Sequence, residues 1–191
     1  MRHDPERRAM FVRAALLLGA GALPLGVLPL GACRTGCGRT RTAAQALALE
    51  PAAWATVEAA TARLIPTDDL PGAREANVVG FIDRQLALPH FEVFKDEFRV
   101  GVGVLDVLGL AHAKARFVAL DALGQDDVLA ALAGGDGSVH GFDAAHFFDV
   151  LFTFTLEGMF SDPLYGGNAD QAGWRLLGYA PDGPGPGHHH G

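Results

Sequence analysis

The stretch that most limits how this chain can fold is DAAHFFDVLFTFTLEGMF, residues 143–160. Asp143 is suited to cap the start of a helix, and the helix predicted from Asp143 to Met159 is apolar around nearly its whole circumference. A helix that is apolar on all sides is buried at the centre of a bundle. The rest of the chain must therefore supply elements that enclose it.

Four other segments have apolar residues at helical spacing. They predict helices from about Pro51 to Ile65, from about Ala73 to Leu88, from about His90 to Leu108, and over residues 119–135. VGVGV (100–104) also fits a strand by alternation, but helical periodicity on both sides favours a helix. No strand alternates with these helices, so a parallel α/β sheet is excluded. The sequence predicts an all-α fold, a compact bundle of about five helices with a long structured C-terminal loop.

The N-terminus has the organisation of an export signal. Adjacent Arg7 and Arg8 precede a 17-residue apolar stretch, residues 14–30, that glycines and prolines interrupt. Because a membrane-spanning helix needs about 20 apolar residues, a processed signal over residues 1–32 is favoured. The arginine pair resembles a twin-arginine signal; the alternative is an ordinary secretory leader with a chance pair.

The end of this leader reads Leu30-Gly31-Ala32-Cys33 and resembles a lipoprotein signal, which predicts lipidation of Cys33. Alternatively Cys33 is structural and pairs with Cys37 in an oxidising compartment. Both interpretations place the folded domain outside the cytoplasm, in the periplasm and, with lipidation, anchored to a membrane.

Composition divides the remainder of the chain. Residues 33–49 predict a flexible tether, 50–180 a helical domain and 181–191 (PDGPGPGHHHG) a disordered tail. The 11 basic and 20 acidic residues after residue 32 give a net charge of −9. Phosphate binding requires clustered Lys and Arg, so nucleic acid is excluded as a partner.

Motifs for cofactor and nucleophile chemistry are missing from the sequence. It contains no G-x-G-x-x-G between a strand and a helix, no C-x-x-C-H, no G-x-S-x-G, no H-E-x-x-H and no Walker loop. We therefore predict no catalytic residue, no metal site and no cofactor in this chain. Glu157, a carboxylate in the final apolar run, could be a general acid. A structural role, in a buried hydrogen bond or an ion pair with Arg175, is favoured.

The C-terminal loop, SDPLYGGNADQAGWRLLGY (161–179), concentrates residues with special backbone preferences. Asp162-Pro163 fits the start of a turn, and Gly166-Gly167-Asn168 tolerates positive φ. Such a segment can cradle an anion or fold against a helix with Tyr165 and Trp174 as anchors. Trp and Tyr are also frequent at protein interfaces.

Two segments in the same order carry a family resemblance: RLIPTDDLPGAREANVVGFIDRQLA (63–87) and LEGMFSDPLYGGNADQAGWRLLGY (156–179). They resemble the gluconate 2-dehydrogenase subunit 3 family, the small subunits of membrane-bound, flavin-dependent sugar and polyol dehydrogenases. Members often have His before T-L-E-G, where this chain has Phe154, which fits a packed position.

The resemblance implies a non-catalytic accessory subunit that escorts a flavoprotein through export and stabilises it. FAD is then expected in the large subunit, and haem c in a multihaem cytochrome c as a third subunit. The twin-arginine translocase is the expected export partner. Docking to the flavoprotein, or folding of the loop, is expected of Glu157, Asp162, Pro163, Tyr165, Gly166, Gly167, Asn168, Trp174 and Arg175.

Two other hypotheses remain open at this point. One is a stand-alone lipid-anchored enzyme that uses Glu157, Asp162 and the Gly-Gly-Asn stretch. The other is a lipoprotein that binds a small ligand or anion in the same loop.

Overall fold

A computed structural model describes residues 42–180 of the chain. The leader with Arg7 and Arg8, both cysteines and the tail lie outside the described residues. Six α-helices are present in the described range: α1 (Pro51–Leu64), α2 (Val78–Leu86), α3 (Glu92–Ala113), α4 (Ala122–Ala133), α5 (Ala144–Phe160) and α6 (Ala172–Leu176). The same range has no strand, only a bridge between Val139 and Phe142. The all-α prediction is confirmed.

Four of the predicted helices form close to their predicted positions. α1 begins at Pro51, and α3 follows a 3-10 turn at Pro89–Phe91 and continues as helix through residues 100–104. Asp143 caps α5, with Oδ1 accepting the backbone N–H groups of Ala145 and His146 at 3.0 and 3.1 Å. Asp121 caps α4 by accepting the N–H of Gly124 at 2.8 Å. Side-chain caps therefore fix the starts of α4 and α5.

The second helix is shorter than predicted: α2 begins at Val78, not near Ala73, and ends at Leu86. Asn77 interrupts the helical path with φ 54° and ψ 42°. The turn before it is closed by the Ala73 N–H, which donates to the Ile65 carbonyl at 2.9 Å. A contact with the C-terminal loop holds Asn77 in this conformation. The sequence around Asn77 does not reveal that contact.

α2, rather than α5, is the most enclosed helix. Every residue of α2 except Arg84 is buried, and the helix packs against α1, α3 and α5. α5 does pack against all of the first four helices, but Asp149, Thr153, Leu156 and Glu157 are exposed on its outer face. The prediction that α5 is buried all round is therefore wrong, because no helix within residues 42–180 covers its outer side.

Phenylalanine rings join α3 to α5. Phe98 packs edge-on against Phe147 and Phe154, with ring centroids 5.4 and 5.7 Å apart. Phe154 also packs against Phe91 and Phe94. Phe154 therefore occupies a packed position in the core. Among the described helices, none is both long and apolar enough to cross a membrane.

Candidate functional site

The two sequence segments that carry the family resemblance meet in space. The Ala169 N–H donates to the Ala76 carbonyl at 3.0 Å, and Asn77 Nδ2 donates to the Gly166 carbonyl at 2.9 Å. Arg84 Nη1 donates to the Leu164 carbonyl at 2.9 Å. The C-terminal loop therefore lies along α2 and the turn that precedes it.

Asn168 is the fully buried centre of the C-terminal loop. Its Nδ2 donates to the Ser161 carbonyl and its Oδ1 accepts the Gly173 N–H, both at 2.8 Å. Its own N–H donates to the Gly158 carbonyl at 2.7 Å. The residue has φ 45°, a conformation that Asn adopts more readily than most residues. One side chain thus ties both halves of the loop to the end of α5.

Two glycines let the loop lie directly on the α5 backbone. A Cβ at Gly167 would overlap the Gly158 carbonyl oxygen, and a Cβ at Gly173 would overlap the Met159 carbonyl oxygen. Glycine is required at both positions by close backbone approach rather than by a ligand.

Trp174 attaches the C-terminal part of the loop to the end of α5. Its Nε1–H donates to the Phe160 carbonyl at 2.8 Å, and its ring packs edge-on against Tyr179 with centroids 5.1 Å apart. The segment from Ala172 to Leu176 is the short helix α6, so part of the predicted loop is helical.

Glu157 differs from its expected structural role. Its side chain is exposed, because position 157 lies on the outer face of α5. Arg175 donates instead to the Asp170 carbonyl. The expected buried contact between Glu157 and Arg175 is absent from the ion pairs and hydrogen bonds of residues 42–180. Asp162 Oδ1 accepts the Leu164 N–H at 2.8 Å and holds the turn at Pro163.

Most backbone N–H groups of the loop are used internally. Those of Tyr165, Gly166, Asn168, Ala169 and Gln171 all donate to carbonyl oxygens of the chain. An anion nest needs N–H groups that point together at an empty concavity. The observed hydrogen bonds weigh against the anion-cradle hypothesis.

Among the side chains that the loop exposes to solvent are large apolar ones. The exposed fractions are 72% for Leu164 and 53% for Tyr165. Arg84 lies beside them, exposed, with its Cδ 3.4 Å from where a Cβ of Gly166 would be. We call Arg84, Leu164 and Tyr165 the loop surface. Tyr and Arg are enriched at the energetic centres of protein interfaces.

Asp83 is a buried carboxylate that is not among the site residues predicted from the sequence. Its oxygens accept the N–H groups of Leu47, Ala48 and Leu49 at 2.8, 2.9 and 2.9 Å. The end of the predicted tether therefore lies against the domain, after a 3-10 turn at residues 43–45. An acidic residue inside the apolar pattern of FIDRQL was the available signal, but its partners are 34 or more residues away.

Several charged groups elsewhere are also paired within the chain. A shallow cavity of about 410 Å³ includes Arg63, Arg74 and Glu75 in its lining. Arg63 makes a bidentate ion pair with Asp126, with both N–O distances 2.9 Å, and this hydrogen bonding raises the pKa of Arg63. A hydrogen bond from Thr67 lowers the pKa of Glu75. Within residues 42–180, no cluster of three or more His, Cys, Asp or Glu side chains could hold a metal ion.

Comparison with known proteins identifies one family. The family model described as Gluconate 2-dehydrogenase subunit 3 matches residues 51–183, more than half of the chain. The match includes α1 to α6 and so both segments that meet at the loop. Searches of curated proteins and of solved structures found no match.

Proposed function

The chain belongs to the gluconate 2-dehydrogenase subunit 3 family, and from this membership we propose that it is the non-catalytic small subunit of a dehydrogenase complex. The complex faces the periplasm and oxidises a sugar or polyol with a flavin. The small subunit acts in export of the flavoprotein subunit and stabilises it afterwards.

The observation that supports this proposal is the closed hydrogen-bonding of the C-terminal loop. Asn168 and the backbone N–H groups hold the loop on α2 and α5, so its unusual residues serve its own folding. Leu164 and Tyr165 are left exposed on a rigid support. A preordered apolar surface loses little conformational entropy on binding, which suits a docking surface.

The remaining parts of the proposal concern the cofactors of the complex, its export and its attachment to the membrane. We assign FAD to the flavoprotein large subunit and haem c to a multihaem cytochrome c subunit. Arg7 and Arg8 direct the leader to the twin-arginine translocase, and Cys33 carries a lipid that holds the complex at the membrane.

Export is tested by deleting the chain in its native host and measuring where the flavoprotein accumulates. We expect flavoprotein in the cytoplasm, or its degradation, and loss of periplasmic dehydrogenase activity. Restoring the chain should restore export, whereas restoring a variant with Arg7→Lys and Arg8→Lys should not. Full export and activity in the deletion strain would exclude the escort role.

Co-purification separates the accessory subunit from the two alternative hypotheses. We expect the chain to retain a stoichiometric flavoprotein, with the flavin absorbance belonging to that protein. Glu157→Gln should leave the dehydrogenase activity of the complex unchanged. A colourless chain that turns over substrate alone, and loses turnover with Glu157→Gln, would instead establish a stand-alone enzyme.

A further inference from the structure

The outer face of α3 carries a seam of residues spaced alternately by four and three. The apolar side chains of this seam have exposed fractions of 38% for Val100, 61% for Val107 and 48% for Leu110. The spacing is that of the a and d positions of a coiled coil. The seam consists of Asp96, Val100, Gly103, Val107 and Leu110 on the helix, followed by Lys114, which comes directly after the last helical residue in a left-handed conformation with φ 59°.

Gly103 has no structural explanation within the described fold. A Cβ at Gly101 would clash with the Phe147 ring, and a Cβ at Gly109 would lie 2.7 Å from the Ala115 carbonyl oxygen. A Cβ at Gly103 would meet no atom within 4 Å. Because Gly disfavours a helix interior, a glycine facing open space indicates close approach of something outside this domain.

We propose that the seam pairs with the same seam of a second copy of this chain, with the two α3 helices antiparallel about a twofold axis near position 105. In that arrangement Val100 lies opposite Leu110 of the second copy, and Gly103 lies opposite Val107. Asp96 lies opposite Lys114. Antiparallel coiled coils form such layers of a against d positions, and a twofold interface uses one surface patch on both subunits.

Charge and side-chain size both favour the antiparallel arrangement over a parallel one. A parallel pair would place Asp96 beside Asp96 and Lys114 beside Lys114, and would leave a gap between two glycines at position 103. The antiparallel pair joins opposite charges at both ends of the seam and fills the space at each Gly103 with a valine. Asp96 is exposed and forms only a 3.4 Å surface contact with Arg99, which contributes little.

The edges of the seam are compatible with this pairing. Val104 and Ala111 flank it on one side. On the other side Asp106 accepts the Phe117 N–H at 3.1 Å and lies 3.9 Å from Arg116. Asp106, the acidic group nearest the twofold axis, therefore has its charge partly neutralised by Arg116 of its own copy.

The test is sedimentation equilibrium of the chain purified from its native host. We expect a concentration-dependent dimer, because an interface of this length is at the small end for stable complexes. Val107→Glu should abolish the dimer, while Leu123→Glu, at an exposed leucine on α4, should leave it unchanged. Circular dichroism melts confirm that both variants remain folded.

A charge exchange tests the antiparallel register. Asp96→Lys or Lys114→Asp alone replaces two attractive contacts per dimer by repulsive ones, and should weaken the dimer about tenfold. The combined variant should recover wild-type affinity. A chain that stays monomeric at all concentrations, or a dimer that ignores Val107→Glu and the charge exchange, would overturn the proposal. Neither result would bear on whether the flavoprotein docks through the loop surface.

Discussion

At the scale of single residues, Asn168 has the largest expected effect on the C-terminal loop. Asn168→Ala removes two side-chain hydrogen bonds and leaves the Gly173 N–H and the Ser161 carbonyl without those partners. It also places Ala at φ 45°. We expect a loss of about 2–4 kcal/mol in the free energy of unfolding, measured by urea denaturation.

Asn168→Gly separates the two causes of that loss. Glycine removes the same hydrogen bonds but adopts positive φ without strain, so it should be more stable than Asn168→Ala by about 1 kcal/mol. Equal stabilities for the two variants would show that the backbone conformation contributes nothing.

Asp83 should control the segment from Leu47 to Leu49. Asp83→Ala leaves three N–H groups, of which that of Leu49 is buried, without their acceptor, and we expect it to lower the free energy of unfolding by about 3 kcal/mol. Hydrogen exchange at these three amides should accelerate more than exchange within α4. Unchanged protection of Leu47 to Leu49 would contradict the role of this carboxylate.

Glu97 makes stability depend on pH. Burial raises the pKa of its carboxyl above the usual value near 4.5, His146 at 3.7 Å opposes this rise and Asp143 adds to it. Because the pKa is higher in the folded state, the folded state binds the proton more tightly. The stabilisation is complete below the unfolded-state pKa and is lost as pH rises through the raised pKa.

The prediction is that wild type loses stability relative to Glu97→Gln as pH rises from about 4 towards neutrality. Unfolding free energies measured across this range test it. Glu157→Gln, which removes an exposed carboxylate, should leave the Glu97-dependent loss in place. A difference between wild type and Glu97→Gln that does not change with pH would contradict the assignment.

At the scale of elements, two glycines of α3 should respond oppositely to alanine. Gly103→Ala adds a methyl group in open space and should stabilise the monomer by about 0.5–1 kcal/mol. Gly101→Ala must displace the Phe147 ring and should destabilise by about 1–3 kcal/mol. Thermal unfolding at concentrations below dimer formation measures both, and a stabilising Gly101→Ala would refute the close packing of α3 on α5.

The features of an element were predictable where the interactions that decide them join residues close together in the sequence. The caps at Asp143 and Asp121, and the helical periodicity of α3, act within a few residues and are visible in the sequence. The start of α2 is set by Asn77 bonding to Gly166, 89 residues away. Asp83 likewise reaches back to Leu47. The exposed face of α5 depends on where neighbouring helices stop, which apolar content alone does not reveal.

At the scale of the whole molecule, the two resemblance segments work as one structure. Segment 63–87 supplies Ala76, Asn77 and Arg84, and each bonds to the C-terminal loop. The sequence identified the loop and its special residues. Segment 63–87 was identified only as a second motif. Nothing in its local sequence indicates that α2, which it contains, is the helix against which the loop folds.

Under the proposed function, the loop surface should contain the energetic centre of the interface with the flavoprotein. Tyr165→Ala and Leu164→Ala remove exposed side chains without disturbing Asn168, and each should weaken co-purification of the flavoprotein about tenfold or more. Tyr165→Phe keeps the ring and should retain most binding, and Leu123→Ala controls for loss of an exposed leucine elsewhere. Because Arg84 bonds to the Leu164 carbonyl, Arg84→Ala should weaken binding partly by loosening the loop. Undiminished recovery of flavoprotein with the Tyr165 and Leu164 variants would place the interface on another face.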